Sequence, residues 1–578
     1  MPVRLRSVTL TSGEVLNLGD NITLLVGPNN VGKSLLLNST WSHLSLHTDH
    51  PTRKSPIVES VQLALPSPEE FTDALLKRSN YRPAGSYPQG QYGEGHYVLP
   101  YGNVVYESAA NNIYVEVAAS SSFQNLCVAF GISLTPETRL NHLGGAQIPD
   151  LRTEFADQPL QLLWQDRELE AKLGALARRA FGIDLTVNRF GGSQTNLHVG
   201  KPTTVEPLIG EKSPYLDEIA QLPLAANQGH GIQAFLGMLM LLMTRQYDFV
   251  LLDEPEAFLH PPQARLLGEI LVELSSEGTQ FVISTHSDDF LQGVLTASRT
   301  TVETTVARLT RPTSASNSVA QVAPEAVRKL YEDPLLRYSK ILGGIFYKGV
   351  VLCEAESDCK YYAAVLDEMY SAAQPNQPRP DLLFTQCSGK DRFGKAVQAL
   401  QATKVPTAVI ADLDLLADEA KFRELFSIMG GDWSGLQSHY NTVVAAVRSQ
   451  ATTVKRSFAK YEVDQVFAGS QAESLTRDEA KKITEVIRSR SGWEQVKKNG
   501  IGSLPKGDAT SSFNAVLEAA AALGLFLLPN GELERFHPII GGTKQEWLRQ
   551  VFETEAYKLS SDATRLLTRV TDYIASAQ

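Results

Sequence analysis

Val350-Val351-Leu352-Cys353-Glu354-Ala355-Glu356-Ser357-Asp358 is an apolar run that turns acidic without a break. The apolar part reads as a strand buried on both faces, and the carboxylates mark the point where it leaves the core. Further on, Ala408-Val409-Ile410-Ala411-Asp412-Leu413-Asp414 repeats the pattern. In an open α/β sheet, ligands gather beyond the carboxyl ends of the strands. Two such strands side by side would bring Glu354, Asp358, Asp412 and Asp414 to one place. Hard carboxylate oxygens in that number suit Mg²⁺ or Mn²⁺. The ordinary alternative is a pair of unrelated strand-to-loop junctions with solvated acids. Glu-x-x-x-Asp in one strand and Asp-x-Asp in the other favour the metal site.

Upstream stands a second constellation. Ile22-Thr23-Leu24-Leu25-Val26 is followed by Gly27-Pro28-Asn29-Asn30-Val31-Gly32-Lys33-Ser34 and then by an apolar helical run from Leu35. This is GxxxxGK[ST] in the strand-loop-helix setting it requires. The backbone amides of the loop, from Gly27, Asn29, Asn30 and Gly32, would cradle the phosphates of ATP. Lys33 would neutralise the β and γ phosphates, and Ser34 would place its hydroxyl on Mg²⁺. Phe249-Val250-Leu251-Leu252-Asp253-Glu254 reads as a Walker B strand. Asp253 would hold the nucleotide's metal, directly or through water, and Glu254 would polarise the attacking water. One helix later, His286 ends the run Gln280-Phe281-Val282-Ile283-Ser284-Thr285, where a γ-phosphate sensor fits.

Composition narrows the class. A chain of 578 residues is too long for one core, so two or three domains are expected. With 43% hydrophobic and 20% charged residues it reads as an ordinary globular protein. A formal net charge of −11 excludes a globally basic nucleic-acid binder, although local patches and bound cations can still neutralise a phosphate backbone. The four cysteines, Cys127, Cys353, Cys359 and Cys387, show no zinc spacing and no CxxC. Arg4 and Arg6 are followed by no apolar signal-peptide core, and no run reaches the roughly 18 apolar residues of a membrane span. A cytoplasmic location without membrane partners is expected.

These motifs carry a resemblance. The stretches at 350–358 and 408–414 resemble the Toprim fold, with Ala355 where that fold usually has Gly. Asp253-Glu254-Pro255-Glu256-Ala257-Phe258-Leu259-His260-Pro261 resembles ABC-type ATPases of the RecF and structural-maintenance branch. There, Gly229-His230-Gly231-Ile232-Gln233 occupies the place of the signature loop, with His230 where Ser is usual. The order ABC-type ATPase then Toprim resembles the overcoming-lysogenisation-defect (OLD) nuclease family, which includes the nuclease subunit of the Gabija antiphage system. The resemblance implies an α/β chain with an ATPase domain over 1–335 and a Toprim nuclease domain with helical insertions over 336–578. It implies ATP and Mg²⁺ or Mn²⁺ as cofactors, nucleic acid (DNA before RNA) as substrate, and a role in antiphage defence. A homodimer or higher oligomer would place Gly231 and Gln233 on ATP across the interface, and a helicase-like partner protein is a further implied possibility. Glu254, His286, Glu354 and Asp412 are implied in catalysis. A late acid completes the nuclease metal set, Glu534 before Glu532, together with a late lysine, Lys544 or Lys558. Gln62 is a further candidate phosphate sensor. The alternative class is an ATP-switched binding or repair ATPase with a regulatory or RNA-directed Toprim domain.

The remaining expectations are local. Residues 3–10 should open a hairpin, and 55–66 and 98–118 should be strand-rich. Tyr81–Gly95 reads as a surface loop. Residues 150–181 carry charged helical patterning within an inserted helical segment at about 120–215, for which solvated faces and a dimerisation arm are the two readings. Leu330–Leu342 should join the two domains. Glu354 and Asp412 should sit at exposed strand ends.

Overall fold

The computed structural model describes residues 2–84, 94–100, 103–150, 156, 158–208, 210–298, 302–313, 316–322, 341–372, 378–387, 389–449, 455–469, 474–487 and 492–577. The chain divides into two compact units, Met1–Arg337 and Tyr338–Gln578. Residues 330–340 of the expected junction and 85–93 of the Tyr-rich loop lie outside the described residues.

The first unit is organised by a six-stranded sheet. Its order is Ser316–Val322, Thr304–Thr313, Ile22–Val26, Gln280–Ser284, Phe249–Asp253 and Gly131–Leu134. All neighbours pair in parallel except the edge hairpin of Thr304–Thr313 with Ser316–Val322. Ile22–Val26, Phe249–Asp253 and Gln280–Ser284 are buried at every residue. That is why they read as unbroken apolar runs: a parallel strand covered on both faces has no solvent side to alternate towards. Helix His230–Thr244 is buried continuously from Ala234 to Leu242.

The expected hairpin is present as Arg4–Leu10 with Val15–Asn17, extended by Val58–Ala64 on the other side. Gln280 ties it to the central sheet, accepting from Leu5 N at 2.8 Å and donating to Leu5 O at 2.9 Å.

Two expectations need correcting here, those for 98–118 and for 120–215, whereas the described part of 150–181 is helical as expected. Residues 98–118 are mostly helix, Glu107–Ser120, after a short strand Val104–Tyr106. Ala110, Ile113 and Val117 are its buried residues, and their helical spacing outweighs the β-branched content. The described part of 150–181 is two helices, Pro159–Gln165 and Arg167–Phe181. Asp166 separates them and caps the second by accepting from Glu168 N and Leu169 N. The segment 120–215 is mixed, not helical. Gly131–Leu134 is an edge strand of the central sheet, and Ala146–Gln147, Leu185–Val187, Gln194–Thr195 and Leu197–Val199 form short antiparallel pairs. Strands this short give almost no periodic signal. Gly131 is needed because a Cβ there would lie 2.2 Å from the Phe249 ring.

The second unit is built on a four-stranded, all-parallel sheet in the order Leu382–Gln386, Gly349–Cys353, Thr407–Ala411, Leu525–Leu527. The chain leaves Gly349–Cys353 in one direction and returns on its other side with Thr407–Ala411, so the order reverses between these two strands. Such a switch point opens a crevice at the carboxyl ends. The C-terminal helix Ser561–Ser576 buries Ala563, Leu567, Val570 and Ile574, and Gly349 gives Ile574 room to approach. Between Thr407–Ala411 and Leu525–Leu527 the described chain is helical, including Glu419–Ile428, Trp433–Ser449, Arg456–Ala468, Arg477–Ile487, Gly492–Asn499 and Asp508–Ala522. Among the described residues no helix is long and apolar enough to cross a membrane.

Gly27 combines a left-handed backbone with a close backbone approach. It has φ 135°, and a Cβ would lie 2.2 Å from Leu309 O. Gly27→Ala should therefore destabilise this unit by about 3 kcal/mol, combining backbone strain with a backbone clash. Gly278→Ala has φ 111° but meets nothing within 4 Å, so it should cost distinctly less. Denaturant melts of the two variants check the order.

Candidate nucleotide-binding and metal sites

In the first unit, the loop Gly27–Gly32 joins Ile22–Val26 to helix Lys33–Ser45. Gly27, Asn30 and Gly32 all have positive φ, which turns the loop tightly at the helix N-terminus. The Lys33 ammonium donates to Gly27 O and Pro28 O, each at 2.8 Å. Burial draws Lys33 down to about 8, against the charges of Glu254, Asp253 and Glu256. Ser34 Oγ donates to Asp253 Oδ1 at 2.9 Å, and Ser284 Oγ donates to the same oxygen. The loop and the Walker B strand are thus joined at the two residues expected to share a metal.

Glu254 follows with φ 43°, its N–H donating to Ser284 O at 3.0 Å. Its carboxylate lies 3.4 Å from His286 Nε2. Burial, and then the nearby Lys33 charge, draw His286 down to about 4. At neutral pH the contact is therefore one between a neutral imidazole and a carboxylate. Burial and Asp253 raise the Glu254 carboxyl, the direction a proton-accepting group needs. Glu256 is fixed from behind, accepting from Thr285 Oγ1 at 2.7 Å and His286 N at 2.9 Å. A cavity of ≈ 310 Å³ lined by Glu254, Glu256, His286 and Ser287 opens beside this group.

Gly231 and Gln233 lie in the first turn of helix His230–Thr244. A Cβ on Gly231 would come within 2.7 Å of Phe258 O. Gln233 donates to Ala226 O and Gln228 O, shaping its own loop. His230 turns edge-on to Phe258, a half-exposed ring with φ 72°. Gln62 is not in a loop. It lies within strand Val58–Ala64, exposed, opposite Ser7, whose hydroxyl donates to it at 3.3 Å.

The motifs gave no sign of Arg139. Its guanidinium is wholly buried, and Nη2 donates to Glu254 O at 2.9 Å. Among the described residues, Nε and Nη1 have no hydrogen-bond partner. Burial lowers it to about 10 against the charges of Glu256, Asp253 and Glu254. Arg139 follows the short strand Gly131–Leu134, whose pairing beside Phe249–Asp253 is invisible in sequence.

In the second unit, Glu354 and Asp412 follow the two strands that flank the switch point. Ligand oxygens of Glu354, Asp412 and Asp414 lie within 4.8 Å of one another. Glu354 Oε1 also accepts from Asp412 N at 3.2 Å, locking the two strand ends together. Asp358 is outside this group of three. It lies in the first turn of helix Glu356–Ala372, accepts from Ala355 N at 3.0 Å, and is 2.7 Å from Lys544 Nζ. Neither Glu354, which is half-buried, nor Asp412, which is buried, is at an exposed strand end as expected. Asp412 is only 8% accessible because the turns after both neighbouring strands close over it, Leu413 N donating to Gly531 O at 3.0 Å.

Burial, and then Glu354, raise Asp412 to about 7. Burial, and then Asp414, raise Glu354 as well. Asp414 goes the other way: burial raises it, but hydrogen bonds and charge from Lys497 and Lys390 outweigh that. Lys497 Nζ lies 3.2 Å from Asp412 Oδ2 and 3.0 Å from Asp414 Oδ2, and Lys390 Nζ lies 3.3 Å from Asp414 Oδ1. Neither lysine was flagged by the motifs, because both sit far from them in sequence. Glu534 lies in the turn Leu533–Phe536, and its charge helps raise Lys544. Glu532 is half-buried, raised by burial and then by Glu534. Lys558 is exposed and pairs with Glu555 at 2.9 Å. Of the two late lysines, Lys544 is therefore the one at an acid of the cluster.

Hard oxygens from three carboxylates suit a divalent ion. Asp414 Oδ1 is buried and faces the Lys390 ammonium at 3.3 Å, an electrostatic setting that already favours a cation.

Comparisons with known proteins fit this layout. Residues 212–291, which include the Walker B strand, match the family described as "AAA domain, putative AbiEii toxin, Type IV TA system". The Old nuclease of Escherichia phage P2 is 25% identical over 275 residues, covering 43% of this chain and 44% of that protein. The chain resembles the OLD nucleases. The match spans less than half the length of that relative. Among solved structures, an Smc head domain bound to the C-terminal domain of ScpA, from Pyrococcus furiosus, is 11% identical, with TM-score 0.33, covering 57% of this chain and 99% of that one. The SMC head domain from Thermotoga maritima is 13% identical, with TM-score 0.28, covering 55% and 99%.

The raised Asp412 carboxyl has a measurable consequence. Its folded pKa of about 7 exceeds the ordinary 3.8, so its contribution to stability is complete below 3.8 and is lost as pH rises through 7. Asparagine imitates the protonated form. In chelator, the melting temperature of Asp412→Asn relative to wild type should rise steadily from about pH 4 to about pH 7 and level off above, by differential scanning calorimetry.

Proposed function

We propose that this chain is an ATP-hydrolysing, divalent-metal-dependent nuclease of the OLD type, acting on DNA in cytoplasmic antiphage defence. The observation that carries the reading is the meeting of Glu354, Asp412 and Asp414 at the switch point of a parallel sheet, in a chain whose other unit holds a complete phosphate loop and Walker B pair. Similarity to the Old nuclease of phage P2 supports the same reading.

Each residue has a chemical task. In the first unit Lys33 and the loop amides hold the phosphates of ATP, and Ser34 and Asp253 hold its Mg²⁺. Glu254 orients the attacking water and takes its proton, with His286 beside it at the γ-phosphate and Arg139 fixing its backbone. Gly231 and Gln233 meet the nucleotide of a second copy in a homodimer. In the second unit Glu354, Asp412 and Asp414 bind Mg²⁺ or Mn²⁺, with Asp358 and Glu534 at the edge of the set. These carboxylates would hold the ion where it would supply an activated water and charge neutralisation at the leaving oxygen of a phosphodiester. Lys544 steadies charge on the scissile phosphate.

Purified protein incubated with plasmid DNA and with RNA, with Mg²⁺ or Mn²⁺, with and without ATP, tests the reading. Wild type should cut DNA. Glu354→Ala, and separately Asp412→Ala, should abolish cutting while retaining ATP binding. Lys33→Ala should abolish ATP turnover while leaving the second unit folded. Cutting of RNA alone would reassign the substrate. No cutting by wild type under any condition would favour an ATP-switched binding protein.

A further inference from the structure

The acidic cluster is crowded with ammonium groups. Lys497 bridges Asp412 and Asp414, Lys390 adjoins Asp414, and Lys544 pairs with Asp358. Lys544 and Lys390 each meet one carboxylate of the cluster through these ion pairs, whereas Lys497 meets two. Its nitrogen lies against two of the three carboxylates that converge within 4.8 Å.

Lys497 is not a surface lysine that happens to reach inward. It lies near the end of helix Gly492–Asn499, one residue after the fully buried Val496. Its backbone is pressed against the turn that follows Leu525–Leu527: a Cβ on Gly531 would lie 2.0 Å from Lys497 O. The next turn is fastened to the same place, with Ile501 N donating to Pro529 O at 3.0 Å. Gly531 O in turn accepts from Leu413 N, between the two aspartates. The backbone of Lys497 is thus fixed to the site, and only its four-carbon arm is free to swing.

Resting on the reading of this cluster as a cation site, we infer that Lys497 is its resident counter-ion. Its ammonium offsets the repulsion between Asp412 and Asp414, and its charge opposes a divalent ion that approaches the same pair. An ammonium and a divalent ion drawn to the same two carboxylates repel each other, so the lysine and the metal compete for their charge. The arm is also within reach of Glu532, whose carboxyl already feels its charge. Lys497 therefore sets the divalent concentration at which the site fills.

The test reads metal binding without catalysis. Metal-stripped full-length protein, free of nucleotide, is titrated with Mn²⁺ while the free ion is followed by electron paramagnetic resonance. Lys497→Met should bind Mn²⁺ about tenfold more tightly than wild type, a value discounted from bare Coulomb attraction because the lysine is partly exposed. Lys497→Arg keeps the charge and should bind as wild type. Asp412→Asn should lose the site. In chelator Lys497→Met should melt below wild type, and added Mn²⁺ should raise its melting temperature by more. Lys497→Gln replaces the Met variant if that fails to fold. If Asp412→Asn loses binding but removing the lysine charge leaves affinity within twofold or weakens it, the counter-ion inference is overturned and the cation site stands. If wild type and Lys497→Met bind no Mn²⁺, or Asp412→Asn binds as wild type, the cation site itself is overturned.

Discussion

A parallel strand buried on both faces has no place for charge until its last backbone hydrogen bond has been made. The strands that carry the two sites obey this constraint and place their polar chemistry accordingly. Phe249–Asp253 runs apolar until Asp253, and Gly349–Cys353 and Thr407–Ala411 run apolar until Glu354 and Asp412. The carboxylates therefore come out on one edge of each sheet, whatever the loops do. What differs is the neighbour: a phosphate loop beside Asp253, a second acidic strand end beside Glu354.

Bringing like charges together has to be offset within the protein. In the first unit Lys33 lies among Asp253, Glu254 and Glu256, and Arg139 is buried behind them. In the second unit three lysines from separate parts of the chain do the same for Asp358, Asp412 and Asp414. The two aspartates of Asp-x-Asp show how local the outcome is. Both touch Lys497, yet Asp412 is raised and Asp414 lowered. The turns cover Asp412, and Glu354 faces it; Asp414 is more open and has Lys390 as a second ammonium.

Backbone freedom is used where the first site needs it. Gly27 gives Leu309 O room, and Asn30 and Gly32 turn the loop onto its helix. Glu254 itself takes φ 43°, a conformation uncommon for a side chain of its kind, with Ser284 and Arg139 holding its two peptide groups. The chemistry expected of this residue and its backbone strain coincide.

The sequence by itself determined the parts whose signal is local. These were the strand-loop-helix at 22–45, the apolar strands ending in acid, and their order along the chain. A phosphate loop is one continuous segment, and a buried strand cannot hide its apolar run. Tertiary structure alone decided what depends on pairing between distant segments. The strand Gly131–Leu134 is too short to announce itself, and with it went Arg139. Glu107–Ser120 carried β-branched residues that pointed the wrong way until a helical face was buried. Asp412 looked exposed because a strand end usually is, and only the turn at Gly531 shows that it is covered. Lys390 and Lys497 belong to the acidic site because ion pairs form through space, where separation along the chain leaves no trace.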